Sequence, residues 1–260
     1  MRNLILYFTI FFLTSLSAKA QAIDCFIVKE GTNYLINQGG NCDTQYSPAS
    51  TFKIALALIG YESGILKNEN HPIFKAKEPP KYMSEYWSGE NTPLTWMKYS
   101  TVWYSQIITT KLGIKNFQKY VDQLDYGNKD LSGDATLHNG LTQSWLSSSL
   151  QISSSQQINF IEKLATNKLP FSQKSQIKTK ILLQLYEESR LSDGWNLYGK
   201  TGTDVDSKTG ERKGYFVGFG TKEDRMISFV IHISDEQNSK AGGIYAKKMA
   251  LDKMNKILGF

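Results

Sequence analysis

The sequence predicts an α/β chain of the α+β kind: a central, mainly antiparallel sheet flanked by helices, with a helical subdomain interleaved between the sheet's first and last strands. Three observations carry this expectation. Strand-like runs bounded by turn residues lie towards both ends of the chain, at 25–37 and 196–234. Helical periodicity with start and stop signals fills the middle. The chain then closes on GIYAKKMALDKMNKIL, an amphipathic helix with basic residues late in its length. The sheet part is expected at about 21–50 and 190–260, and the helical part at about 60–185.

Taken in order, residues 1–20 place Arg2 before an uncharged apolar run from Leu4 to Leu16 and end on Ala18 and Ala20. That is the layout of a cleaved signal peptide, and the run falls short of the roughly 18 apolar residues that span a bilayer. Residues 21–260 are then expected to form one exported domain, secreted to the periplasm. Segments 25–29 and 34–37 read as hairpin arms around Glu30-Gly31-Thr32-Asn33. Export would permit a Cys25–Cys42 disulfide; two buried thiols are the other reading, since spacing does not give geometry. Proline at 48 opens a helix over 49–58, closed by Gly60 or Gly64. Thr92-Pro93 opens a second that stops at Gly113. Helical patterns follow at 115–124, 155–167 and 172–188, and 126–143 reads as loop. Strands are expected at 196–203, 214–221 and 226–234.

Composition excludes several function classes. The chain is 40% apolar and 21% charged, an ordinary globular balance. Its two cysteines and three histidines (His71, His138, His232) show no zinc-ligand spacing, so no metal site is expected. The formal charge is +6, yet no Lys/Arg block exceeds two residues, which argues against a nucleic-acid partner. No G-x-S-x-G elbow occurs, which argues against an α/β-hydrolase.

Two short motifs can carry chemistry. In Ser50-Thr51-Phe52-Lys53, residues three apart on a helix share a face, so the Lys53 amine can reach the Ser50 hydroxyl. Ser50 also sits at a helix start, where free amides favour an oxyanion. A lysine base needs its pKa brought down from about 10.4, and Phe52, Ile54 and Leu56 supply an apolar surround. A second copy, Ser175-Gln176-Ile177-Lys178, lies in a polar helical stretch and reads as solvated surface. Lys200-Thr201-Gly202-Thr203 puts a cation and a hydroxyl on an expected edge strand, suited to docking an anionic carboxylate. Lys208-Thr209-Gly210 repeats the tripeptide in a polar turn, so context and not the tripeptide decides.

The ordered set is more specific than its parts. Ser50-x-x-Lys53, Ser100-Thr101-Val102, Tyr126-Gly127-Asn128, Trp145-Leu146 and Lys200-Thr201-Gly202 follow one another at spacings that resemble the class D serine β-lactamases, the oxacillinases, within the serine penicillin-recognising superfamily. The resemblance covers most of the chain, including Leu150-Gln151-Ile152-Ser153. It implies a β-lactamase/transpeptidase-like fold and hydrolysis of penicillin-type β-lactams, hence antibiotic resistance. Ser50 would be the nucleophile, with the amides of Ser50 and Thr203 as oxyanion hole. Lys53 would be carboxylated by carbon dioxide (N6-carboxylysine) and serve as base, with no other cofactor. Val102 and Leu146 would form an apolar lid, and the Trp145 indole N–H would donate to the carbamate. Ser100, beside Lys200, would relay a proton to the lactam nitrogen, while Lys200, Thr201 and Gly202 dock the substrate.

One departure matters: the family usually places an arginine after the last strand to grip the substrate carboxylate, whereas 238–244 holds none. Lys240 could stand in, without arginine's bidentate fork. The expected partners are small-molecule β-lactams, with no nucleic acid and no membrane once the signal is cleaved, and oligomeric state is left open. The alternative reading is a penicillin-binding sensor domain that acylates without turnover; such a domain needs transmembrane segments, and none is seen after residue 20.

Overall fold

Strand β1 (Ala22–Glu30) turns back through Gly31 into β2 (Asn33–Gln38), and both join three long C-terminal strands in one sheet. The computed structural model describes residues 22–76, 87, 89–206, 209–235 and 242–259. The expected signal peptide, Lys208 and Lys240 lie outside them. Two short pairs come next in the chain: β3 (Gln45–Tyr46) with β6 (Ile152–Ser153), and β4 (Phe74–Lys75) with β5 (Glu90–Asn91). The main sheet is completed by β7 (Asn196–Val205), β8 (Arg212–Lys222) and β9 (Arg225–Asp235), in the order β2-β1-β9-β8-β7. Every neighbouring pair is antiparallel, so the expected sheet class is the one observed.

Alternation sorts the side chains onto two faces. Phe26, Val28, Phe216, Phe229 and Ile231 meet Ala246, Ala250 and Met254 of the C-terminal helix. Burial of each large side chain there contributes about 1.5–3 kcal/mol. Ile27, Val217, Phe219 and Val230 face the larger core shared with the helical part. The Cys25 and Cys42 sulfurs are bonded, with Cα atoms 4.9 Å apart.

The helices with described bounds are α1 (Lys53–Glu62), α2 (Pro93–Tyr99), α3 (Val102–Leu124), α4 (Gly140–Gln143), α5 (Ser154–Ala165), α6 (Gln173–Leu183), α7 (Tyr186–Leu191) and α8 (Gly243–Leu258). Two expectations need correction. The helix expected over 92–113 breaks at Ser100, which is left-handed (φ 58°), and restarts at Val102; at Gly113 (φ 69°, ψ 156°) the backbone leaves helical geometry, as the expected stop there requires, and α3 continues beyond that kink as the helix expected over 115–124. The helix expected over 172–188 breaks at Gln184-Leu185, because Leu185 N donates to Leu197 O (2.8 Å) and the chain pairs there with the edge of β7. Backbone groups taken by a strand cannot also serve a helix.

Candidate active site

The site forms where three segments meet: the turn carrying Ser50, the Ser100 break between α2 and α3, and the edge strand β7. Ser50 lies in a single 3-10 turn, Ala49–Phe52, immediately before α1. The turn is tightened by Pro48 O, which accepts from Thr51 N (3.1 Å) and Thr51 Oγ1 (2.6 Å). It lies so close to β7 that a Cβ on Gly202 would stand 3.0 Å from Thr51 Cγ2 and 3.2 Å from Pro48 O. A side chain there would press on the turn by a few tenths of an ångström, and glycine lets the two segments approach without that.

Lys53 opens α1 and is fully buried, its Nζ 3.1 Å from Ser50 Oγ. Burial, and then the neighbouring charge of Lys200, hold its pKa well below the ordinary lysine value. Phe52 packs beside it against Trp145 (5.6 Å), Tyr126 (5.3 Å) and Phe117 (5.9 Å), which makes the surround apolar. Trp145 is fully buried, and its Nε1 finds no acceptor among the described residues.

Lys200 is also buried, on β7, and donates to Ser100 Oγ and to Thr201 O (2.9 Å). Burial first, and Lys247 second, bring its pKa down to about 7. The left-handed turn at Ser100 breaks the helix between Tyr99 and Val102 and so presents the hydroxyl to Lys200. Val102 follows as the first residue of α3, half-buried, and Leu146 is half-buried beside Trp145. Thr203 is exposed on β7, and its Oγ1 accepts from Gly243 N (2.8 Å). Since β7 is an edge, no further strand lies beyond these residues in the sheet among the described residues.

Tyr126-Gly127-Asn128 plays a part that spacing does not reveal: it clasps the segment after Trp145. Tyr126 is buried against Phe52 and Phe160. Gly127 has φ 58°, and a Cβ there would lie 2.0 Å from Gln151 O. Asn128 N donates to Gln151 O (2.9 Å), its Oδ1 accepts from Gln151 N (3.0 Å), and its Nδ2 donates to Ser149 O (2.8 Å).

The second S-x-x-K needs correction in one respect. Ser175 is buried, and Ser172 caps the helix by accepting from Ser175 N (3.3 Å), so this serine is not solvated. Lys178 reaches away, donating to Lys67 O. Ser47, Ser147 and Asp204, which tie the site's segments together, went unread because lone serines and an acid in a strand carry no motif. Arg212 went unread for the same reason: on β8, it lines a cavity of about 320 Å³ with Thr203, Gly242, Tyr245 and Lys248. A Cβ on Gly242 would lie 3.4 Å from Arg212 Nε and 3.5 Å from Thr203 Oγ1.

Comparison with known proteins places this geometry. Residues 27–255 match the family model described as penicillin binding protein transpeptidase domain. Beta-lactamase OXA-1 of Escherichia coli is 38% identical over 241 residues, covering 90% of this chain and 84% of its own length. The regulatory protein BlaR1 of Bacillus licheniformis is 32% identical over 225 residues, covering 86% of this chain but 34% of its own. The crystal structure of the OXA-427 class D β-lactamase matches with a TM-score of 0.80 at 38% identity, over 90% of this chain and 98% of that one. With a buried lysine beside Ser50, a serine–lysine pair across the cleft and these relatives, the chain belongs to the penicillin-binding transpeptidase-domain family and, within it, to the class D serine β-lactamases.

Proposed function

We propose that this enzyme hydrolyses penicillin-type β-lactams in full turnover through an ester on Ser50, with Lys53 carboxylated at its side-chain nitrogen, and that it does so after export, giving antibiotic resistance. The observation that carries the reading is the fully buried Lys53 amine 3.1 Å from Ser50 Oγ. Burial that favours the uncharged amine makes the Lys53 side chain the place for a base, which takes the hydroxyl proton as Ser50 Oγ bonds the lactam carbonyl carbon. The oxyanion that forms is met by the backbone amides of Ser50 and Thr203, the latter on an open sheet edge. Breaking the ring's C–N bond leaves nitrogen needing a proton, which Ser100 supplies and Lys200 replenishes, and the proton that Lys53 took from Ser50 then restores Lys200 and frees the base for water. Water then attacks the ester carbon, releasing the ring-opened acid and returning the proton to Ser50.

The pocket fits a lysine carbamate. Its amine is held towards the unprotonated form that reacts with carbon dioxide, and the Trp145 N–H has no acceptor among the described residues. When present, that group supplies an oxygen base for both the serine proton and the attacking water. Val102 and Leu146 keep bulk water from the position. Substrate docks by its carboxylate on Lys200 and Thr201, while Gly202 admits the Ser50 turn and the Arg212 guanidinium lies across the Thr203–Gly242 corner. Among the described residues no helix is long and apolar enough to cross a membrane.

Mixing the enzyme with a penicillin and following both protein mass and nitrocefin turnover tests the reading. The expected result is a transient adduct on Ser50, with steady-state turnover that bicarbonate raises in enzyme stripped of carbon dioxide at mildly acidic pH. A stable Ser50 adduct without turnover would establish the sensor reading instead.

A further inference from the structure

We propose that Asp204 is a positioning residue for the lysine pocket: from the substrate-docking strand it holds, through Ser147 and Ser47, the segment that carries Trp145 and Leu146 against Lys53. Alternation along β7 puts Lys200, Gly202 and Asp204 on one side of the strand, the side on which Gly202 meets the Ser50 turn. Asp204 is the buried continuation of that row, one residue beyond Thr203. Its Oδ1 accepts from Ser147 Oγ. Ser147 N donates to Ser47 Oγ (2.9 Å), and Ser47 Oγ donates to Trp145 O (2.9 Å). Ser47 lies three residues before the nucleophile. Two serines and one carboxylate therefore join the docking strand, the tryptophan segment and the lead into the nucleophile's turn.

Three features say that this segment needs holding. Ser147 has φ 51°, a left-handed conformation that a residue with a Cβ adopts only when its surroundings impose it. The Trp145 indole has no acceptor for its N–H among the described residues, so the ring's position rests on packing and on the backbone bond from Ser47. On the outer side lies a polar cavity of about 300 Å³, lined by Tyr46, Ser47, Ser147, Gln151, Asp204 and Lys213, so losing the carboxylate would admit water and leave Ser147 Oγ with only its long bond to Val205 O (3.4 Å) on β7. Burial raises the Asp204 pKa, while the Ser147 hydroxyl and the Lys213 charge oppose that rise. Lys213 stands opposite Asp204 in the ladder and pairs with Glu211 (2.8 Å).

The inference rests on Lys53 being the base, and the test separates the two. Hydrogen–deuterium exchange of the 144–150 segment and steady-state kinetics are measured for wild type, Asp204→Ala, Ser147→Ala and Asp204→Asn, together with 13C-bicarbonate titration of the lysine carbamate signal. Both alanine variants are expected to exchange about tenfold faster at 144–150, to lose kcat with little change in KM, and to need about tenfold more bicarbonate for half labelling. Asp204→Asn, whose amide oxygen still accepts from Ser147, should stay near wild type in all three. Unchanged exchange at 144–150 in both alanine variants overturns the proposal, as does faster exchange that leaves kcat at the wild-type value. If wild type gives no carbamate signal, carboxylation of Lys53 fails, and the exchange and the kcat–KM split still decide the role of Asp204.

Discussion

Lys53 is a lysine that the fold does not allow to stay comfortably charged. It is fully buried, its hydrogen-bond partner is a neutral hydroxyl, and the nearby charge is another lysine. Burying an ammonium on those terms costs more than losing its proton, so the amine is driven towards its basic form. Replacing it with alanine removes the proposed proton acceptor and none of the groups proposed to bind the substrate carboxylate. Lys53→Ala should therefore cut steady-state turnover by about 10²–10⁴-fold, the usual worth of a positioned base, while mass spectrometry finds Ser50 unmodified or trapped as the adduct. Turnover at the wild-type rate would remove Lys53 from the mechanism. Arg212 poses a different question at the same scale, because its guanidinium faces a cavity beside Thr203. Arg212→Ala should raise KM about tenfold for a β-lactam bearing a free carboxylate and leave KM for the corresponding methyl ester unchanged. Equal effects on both would make Arg212 a structural residue only.

At the scale of elements, the catalytic turn works because flanking segments press on it where side chains are missing or bonded. Gly202 lets the turn approach β7, and Gly127 lets Tyr126 and Asn128 clamp Gln151. Asn128→Ala deletes two side-chain bonds to the 149–151 backbone and leaves those groups to water. The expected cost is about 1–3 kcal/mol of stability with a drop in kcat, read by thermal melting and nitrocefin kinetics. Strands, helix starts and the Ser50–Lys53 relation were legible because each is local: alternation, a Thr-Pro start, three residues on one helical turn. The break at Ser100 was not, since a left-handed serine has no sequence signature and Tyr99 to Val102 reads as continuous helix. The break at Gln184-Leu185 depends on the edge of β7, which is remote in sequence. The two S-x-x-K copies are alike in spacing and differ only in tertiary surroundings. Lys53 is sealed beside Ser50, whereas Lys178 turns to Lys67 O and Ser175 is engaged by its helix cap.

Across the whole molecule, the sheet that positions β7 runs back through β8 and β9 to β1, and the β1–β9 seam carries a buried histidine. His232 pairs with Cys25 in the ladder, stacks on Tyr215 (4.6 Å) and meets the tilted ring of Tyr46 (4.6 Å), with Asp24 Oδ2 3.7 Å from its Nε2. Burial, aided by the Lys213 charge, lowers its pKa to about 3 from the ordinary 6.5. The unfolded chain thus binds a proton at His232 between these values and the folded chain does not, so stability rises with pH across the window and is lost as pH falls from 6.5 towards 3. The slope from this group alone is at most about 1.4 kcal/mol per pH unit. Asp24 and Asp204, whose pKa values burial raises, act in the opposite sense: the folded state holds their protons more tightly, and their stabilisation fades as pH rises through those folded values. The observed dependence is the difference, and one substitution isolates the histidine. His232→Phe keeps an aromatic ring against both tyrosines and removes the titration. Chemical denaturation between pH 4 and 7 should give a shallower rise in stability for this variant than for wild type. A parallel pair of curves would show that His232 takes up its proton in the folded protein as readily as in the unfolded one.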